Sequence, residues 1–245
     1  MSGNAVRWLG HSTVVIRLDG QGVLTDPVVR ERVMHLRRRV AVDDDALHGL
    51  DAVIVSHIHY DHLDLPSLDR IDRALPIVVP QNAGGLVKRR GFRDVREVQA
   101  GDELELGRLR IHVTHAEHAP CRRPGTGRTP ALGYALEGTR SVYFAGDTDL
   151  FAEMSGLGPV DAALLPVAGW GPRLPAGHLD PHRAAEAVLL LQARIAIPIH
   201  WGTYAPWRPP LEDPAPARAF AEAVSESAPG TEVRVLRPGE TCRID

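Results

Sequence analysis

The chain has 245 residues, 44% of them hydrophobic and 24% charged, which supplies a sizeable core and excludes intrinsic disorder as the default state. Lys and Arg number 28 against 31 Asp and Glu, for a net charge of −3, which excludes a polyanion binder built on a broad cationic face. Two cysteines, Cys121 and Cys242, are too few for a disulfide framework and point to a reducing compartment.

In chain order, residues 6–9, 13–18 and 22–25 read as strands, and Asp19-Gly20 predicts a hairpin turn between the last two. The continuous apolar run 52–55 predicts a buried strand, and residues 82–90 a helix. Segments 103–106 and 108–114 flank Gly107 as a hairpin, and 132–137 and 141–145 flank Gly138 in the same way. Residues 181–192 predict the best-marked helix, with Asp180 at the N-cap and Pro181 in the first turn. A buried run, 195–199, and a helix over 214–225 complete the pattern. Runs of strands with interspersed helices predict an α/β (α+β) chain of two sheets, each covered by helices, in a single domain over 1–245.

Residues 121–130 and 206–216, rich in Gly, Pro and Arg or in Pro, read as surface loops. No secretory leader is legible at the start. The longest apolar stretch, 187–199, is interrupted by Gln192, Arg194 and Pro198 and is too short and polar to cross a bilayer. The expected location is cytoplasmic.

Histidine is the unusual residue. There are 12, and His57-Ile58-His59-Tyr60-Asp61-His62 places four candidate ligands in a short segment straight after an apolar run. The same arrangement recurs. Residues 109–113 lead toward His115 and His118, residues 142–145 to Asp147, and residues 195–199 to His200. If these strands share one edge, their ends deliver the side chains to one place. Imidazole and carboxylate suit Zn, Mn or Fe. Four ligands are too many for one ion with an open position, so two ions are expected. His57 and His59 project the same way in an extended segment, Asp61 and His62 serve the neighbouring ion, and His118, Asp147 and His200 complete both shells.

The His-x-His-x-Asp-His motif after an apolar strand resembles the signature of the metallo-β-lactamase fold superfamily. Trp8-Leu9-Gly10-His11-Ser12-Thr13, Thr25-Asp26-Pro27, Ala145-Gly146-Asp147-Thr148, Gly177-His178-Leu179-Asp180-Pro181 and His200-Trp201-Gly202-Thr203-Tyr204 resemble one branch of it. That branch holds the L-ascorbate-6-phosphate lactonases and the N-acyl-phosphatidylethanolamine phospholipases D. The resemblance implies a four-layer αββα sandwich with metals at one edge. It implies one divalent ion on His57, His59 and His118, a second on Asp61, His62 and His200, and Asp147 bridging, with Zn first and Mn or Fe as alternatives. The branch has a Pro-x-x-His context at the middle ligand. Here the text is His115-Ala116-Glu117-His118, so His118 keeps the spacing and His115 stands as the competing choice. Asp26 is expected to accept from a ligand histidine.

The implied chemistry is hydrolysis by water activated between two ions, acting on an ester-type bond, a lactone or a phosphodiester. Asp61 and Asp147 would hold or shuttle the proton. The resemblance also places His178 near the substrate, as a donor to the scissile group. No Gly-x-Ser-x-Gly elbow and no Walker-type loop is present. The expected partner is a small-molecule substrate, with neither nucleic acid nor stable membrane association. The alternative class is a metal-binding sensor or scaffold of the same fold that has lost turnover.

Other residues carry plainer expectations. His11 reads as structural or as a support to a ligand, and His35, His48, His112 and His182 as surface or helix-face residues. Trp170, Trp201, Tyr204 and Trp207 either wall a substrate pocket or plug the core. Arg173 either meets an anionic group or faces water. Arg37-Arg38-Arg39 reads as a solvated face.

Overall fold

A computed structural model describes residues 3–119, 128–168, 174–205 and 214–245. Its first half supplies β1 (Ala5–Gly10), β2 (Thr13–Leu18), β3 (Gln21–Thr25), β4 (Arg32–Val33), β5 (Leu36–Arg38), β6 (Ala52–Ile54), β7 (Ile77–Pro80), α1 (Gly84–Lys88) and β8 (Val95–Val98). The second half adds β9 (Glu103–Leu106), β10 (Leu109–His115), β11 (Leu132–Glu137), β12 (Ser141–Phe144), β13 (Ala162–Pro166), α2 (Pro181–Leu191) and β14 (Ile195–Ile199). It ends with β15 (Tyr204–Ala205), α3 (Ala215–Ser227), β16 (Glu232–Val233) and β17 (Thr241–Arg243).

Two seven-stranded sheets form, ordered β17-β1-β2-β3-β6-β7-β8 and β16-β14-β13-β12-β11-β10-β9, beside a three-stranded sheet β15-β5-β4. The period-two alternation of strand side chains explains how the first sheet is filled on both faces. Val14, Ile16, Val23, Ala52, Ile54 and Val78 face the second sheet, where Ile111, Val113, Tyr134 and Leu136 meet them. The intervening Val15, Leu24, Val53, Val55, Ile77 and Val79 face outward against Leu47, Leu68, Val87 and Phe92. Two helices, α2 and α3, cover the other sheet through Ala184, Ala187, Val188, Phe220 and Val224. The result is the expected αββα layering. On the first sheet the outer layer consists of short turns, Asp44–Leu47 and Ser67–Arg70, together with α1.

Local signals account for the boundaries. Asp19 and Gly20 take positive φ, 50° and 84°, the mirror-image turn that suits a two-residue hairpin. The Asp180 carboxylate accepts from the N–H groups of His182 and Arg183, both at 2.9 Å, and starts α2. Helix α1 is shorter than the 82–90 its sequence predicts. Asn82 sits at φ 71° with its N–H given to the Glu97 carboxylate at 2.6 Å, and a left-handed residue cannot start a right-handed helix. Strands β7, β8, β13, β16 and β17 and the small third sheet are additions to the predicted set.

Direction matters more than count. Strand β10 is antiparallel to β11, β11 is antiparallel to β12, and β12, β13 and β14 are parallel. Strands β1, β3 and β6 likewise run one way, with β2 reversed between the first two. The carboxyl ends of these strands form one rim in each sheet. Leu132 N–H donates to Ser56 O at 2.9 Å, and His200 N–H to His11 O at 3.0 Å. Tyr134 Oη donates to Val55 O at 2.7 Å. The two rims are therefore sewn together.

Candidate metal centre

The joined rim receives Asp26 after β3, residues 57–62 after β6, His118 after β10, Asp147 after β12 and His200 after β14. Gly146, at φ 61°, permits the closest approach. A Cβ there would lie 2.5 Å from Ser56 Cβ and 3.0 Å from Leu132 O, so only glycine lets Asp147 lie against the loop 57–62. Asp26 and His200 themselves take positive φ, 34° and 63°, an uncommon backbone state for residues with a Cβ.

One group of donors is His57, His59 and His118, whose candidate ligand atoms lie within 4.8 Å of one another. His57 Nε2 is 3.0 Å from His59 Nδ1, and His118 Nε2 is 3.1 Å from the same atom. His118 Nδ1 donates to Gly177 O at 2.6 Å, so the lone pair of neutral His118 is on Nε2. With Asp26 ionised, the Ser56 hydroxyl donates to Asp26 Oδ2 at 2.6 Å and accepts from His57 Nδ1 at 3.0 Å. The His57 lone pair is then also on Nε2. A proton on His59 Nδ1 can serve one of these two acceptors, not both.

The second group is Asp61, His62 and His200, joined by His11. His200 Nδ1 donates to Ala168 O at 2.5 Å, and His62 Nδ1 to Asp26 Oδ2 at 2.6 Å. Their Nε2 atoms face each other at 3.3 Å. With both rings neutral, two lone pairs at that distance make no bond, which leaves them free for a cation. His11 Nε2 lies 3.1 Å from Asp61 Oδ2 and steadies that carboxylate.

Asp147 lies between the groups. Its Oδ2 is 3.1 Å from His62 Nε2, 3.3 Å from His178 Nε2 and 4.0 Å from His57 Nε2. Its Oδ1 is buried, has no hydrogen-bond partner, and has His200 Nε2 at 3.3 Å. A buried carboxylate oxygen facing only lone pairs is costly. Burial pushes Asp61 and Asp147 up, but the surrounding imidazoles outweigh it and hold both well below the ordinary carboxylate range. His62 is lowered by burial, yet Asp147, Asp61 and Asp26 hold it well above its ordinary value. Burial pushes His118 down to about 4 and His11 to about 3. Converging lone pairs, ionised carboxylates and fixed tautomers fit divalent cations of the Zn, Mn or Fe type.

All seven residues expected as ligands come together here. Of His115 and His118, the structure brings His118 into the cluster. His115 ends β10 with 54% of its side chain exposed and pairs with Glu117 at 3.2 Å. His178 lies at the edge of the cluster, its side chain 14% exposed. Sequence reading missed the Gly177 and Ala168 carbonyls, which carry no side-chain signal, and Ser56, whose only signal is adjacency to the motif. Trp201 is a core plug, not a pocket wall. It stacks on Trp8 with centroids 5.1 Å apart and donates to Pro198 O at 2.9 Å. Tyr204 is buried and donates to Val28 O at 3.1 Å. The solvated-face reading of Arg37-Arg38-Arg39 holds for Arg37, which is exposed, and is corrected for Arg38 and Arg39. Arg38 is half-buried, donating to Leu9 O and, at 3.2 Å, to Tyr204 Oη. Trp170, Arg173 and Trp207 lie outside the described residues.

The model of the Beta-lactamase superfamily domain matches residues 21–201. The chain belongs to the metallo-β-lactamase superfamily. Within that superfamily it is 33% identical to a UPF0173 metal-dependent hydrolase of Methanopyrus kandleri, over 96% of this chain and 98% of that one. It is 33% identical to an N-acyl-phosphatidylethanolamine-hydrolyzing phospholipase D of Caenorhabditis elegans, over 83% of this chain but 65% of the longer relative. Among solved structures, the metallo hydrolase Igni18 of Ignicoccus hospitalis superposes with a TM-score of 0.73 at 27% identity, over 98% of this chain and 97% of that one. The metallo-β-lactamase superfamily member described here is thus a metal-dependent hydrolase by family.

Proposed function

We propose that the chain is a dinuclear metal-dependent hydrolase that cleaves an ester-type bond, a lactone or a phosphodiester, in a small substrate. One ion would be held by His57, His59 and His118, the other by Asp61, His62 and His200, with Asp147 shared. Zn suits this donor set first, with Mn or Fe as alternatives. When bound, such ions would supply Lewis acidity and would lower the pKa of water toward neutrality.

The chain's own residues do the rest. Asp26 holds His62 at Nδ1 and, through Ser56, orients His57. The Ala168 and Gly177 carbonyls fix His200 and His118. His11 keeps Asp61 from rotating. Asp61 and Asp147 would take a proton from water. His178, its Nδ1 near Pro175 O at 3.1 Å and its Nε2 at the cluster edge, can give one to the departing oxygen.

The observation that carries this reading is the Asp147 carboxylate, buried between the two histidine groups with one oxygen unpartnered. The test is metal analysis of the purified protein, with assay of a lactone and a phosphodiester in added Zn²⁺ or Mn²⁺. Two metal equivalents per chain and turnover abolished in Asp61→Ala or His59→Ala are expected. Metal uptake with no turnover of any ester would replace the enzyme by a sensor or scaffold of the same fold.

A further inference from the structure

Asp64 is a buried carboxylate outside the two donor groups. It follows the donor-rich loop directly, and its side chain is 3% exposed. Arg30 grips it with a planar fork. Nε donates to Oδ2 at 2.6 Å and Nη2 to Oδ1 at 2.7 Å. Oδ2 also accepts from the Ser67 N–H at 3.0 Å and from the Ser67 hydroxyl at 2.6 Å. Taking a carboxylate out of water is costly even when it is paired. Capping the turn at Ser67 needs only a neutral acceptor, such as an Asn or Ser oxygen. The ion pair with Arg30 goes beyond that need.

The segment 26–30 shows what the pair holds. At its start Asp26 accepts from the Ser56 N–H at 2.7 Å and from His62 Nδ1 at 2.6 Å. At its end Arg30 binds Asp64. One short stretch of chain therefore grips the loop 57–64 at both ends. Between them the Val29 N–H donates to Ser67 Oγ at 2.9 Å, and Val29 O accepts from Arg70 Nη1 at 2.7 Å. The stretch is itself anchored. Thr13 Oγ1 donates to Asp26 O at 2.7 Å and accepts from the Val28 N–H at 3.1 Å, and Tyr204 Oη donates to Val28 O at 3.1 Å. Inside the loop the His62 and Leu63 N–H groups both turn back on His59 O, at 3.1 and 2.8 Å. A loop outside regular structure relies on its fixed ends to hold side chains in one geometry.

We propose that Asp64, held by Arg30, is a positioning residue for the second donor group: it fixes the far end of the loop so that Asp61 and His62 keep their placement against Asp26 and His200. The inference rests on the dinuclear reading above. It assigns Asp64 to one of the two ions only, because the Arg30 strut ends on the Asp61–His62 side of the loop, whereas His57 and His118 are fixed through Ser56 and Gly177 O.

The test titrates Co²⁺ into the whole chain and follows its visible absorption. In a His118→Ala background, which disables the first group, Asp64→Asn is expected to weaken the remaining Co²⁺ at least about tenfold. In a His200→Ala background, which disables the second, the change is expected to stay below about twofold. Amide exchange of chelated protein gives a readout without metal. Leu63 N–H should exchange at least about tenfold faster in Asp64→Asn, while Ala184 N–H, bonded to Asp180 O at 2.8 Å in α2, should not change. If Asp64→Asn does not fold, Arg30→Lys, which keeps the charge and loses the fork, carries the same comparisons. Equal Co²⁺ loss in both backgrounds, no loss in either, or an unchanged Leu63 rate overturns the proposal. Wild-type protein that takes up no Co²⁺ refutes the dinuclear reading and this inference with it. That result is distinct from a failure of Asp64 alone, in which the wild type binds two ions and the variants match it.

Discussion

Asp147 separates a fold from a reactive centre at the scale of single residues. Asp147→Asn keeps the volume and removes the charge shared by the two histidine groups. We expect it to lower ester hydrolysis at least about a hundredfold and to reduce bound metal, read by activity assay and elemental analysis. The His115 and His118 pair tests the ligand assignment. His118→Ala should lose metal from its group, whereas His115→Ala should keep both metal and activity, because His115 faces solvent beside Glu117. The chain text alone could not separate them. Both follow the same apolar run, and what decides is where β10 stops. The strand continues through His115, and the chain then bends, with His118 N–H bonded to Ala116 O at 3.0 Å, which turns His118 inward.

Elements set how closely those residues approach. Gly146→Ala would force a Cβ to 2.5 Å from Ser56 Cβ at a backbone φ of 61°. We expect a loss of about 1–3 kcal/mol in a urea titration, with weakened metal binding, since the displaced segments carry Asp147 and His57. Asp180→Ala should behave differently. It removes the cap of α2 and should cost about 1 kcal/mol while leaving metal content unchanged. Helix α2 was legible because Asp180, Pro181 and an Ala- and Leu-rich run agree. The two- and three-residue strands β4, β5 and β15 were not, because segments that short hold no periodicity and three arginines masked the pairing. Reading that run as solvated left its half-buried arginines unseen.

For the molecule as a whole, pH reports on the buried histidines. His118 at about 4, His11 at about 3 and His57, also driven down by burial, stay neutral where the unfolded chain takes up protons near 6.5. The unfolded state therefore binds more protons between about 6.5 and about 4, and stability present above that window is lost as pH falls through it. His62, raised in the fold, is protonated in both states below 6.5 and adds no slope there. Asp26, raised by burial, opposes the trend as one group against three. The melting temperature of chelated protein should fall from pH 6.5 to pH 4; a flat or rising curve would refute this charge arrangement. Restoring Zn²⁺ at neutral pH should raise the melting temperature, because an ion bound only by the native state stabilises it. No helix among the described residues is long and apolar enough to cross a membrane.

The sequence by itself determined the ligand chemistry. A donor-rich segment straight after a buried strand, with His118, Asp147 and His200 after three more, constrains which cations can be held, because imidazole and carboxylate are chosen by residue type. It also determined the alternation that fills both faces of the first sheet. Only the tertiary structure decided which atoms carry lone pairs, since that depends on carbonyls from Ala168 and Gly177 far along the chain. Only it placed Trp201 in the core, brought Arg32 opposite Arg37 and left Arg39 Nε and Nη1 without an acceptor. Those outcomes depend on strand direction and register, which many distant pairings fix together and no local run of residues contains.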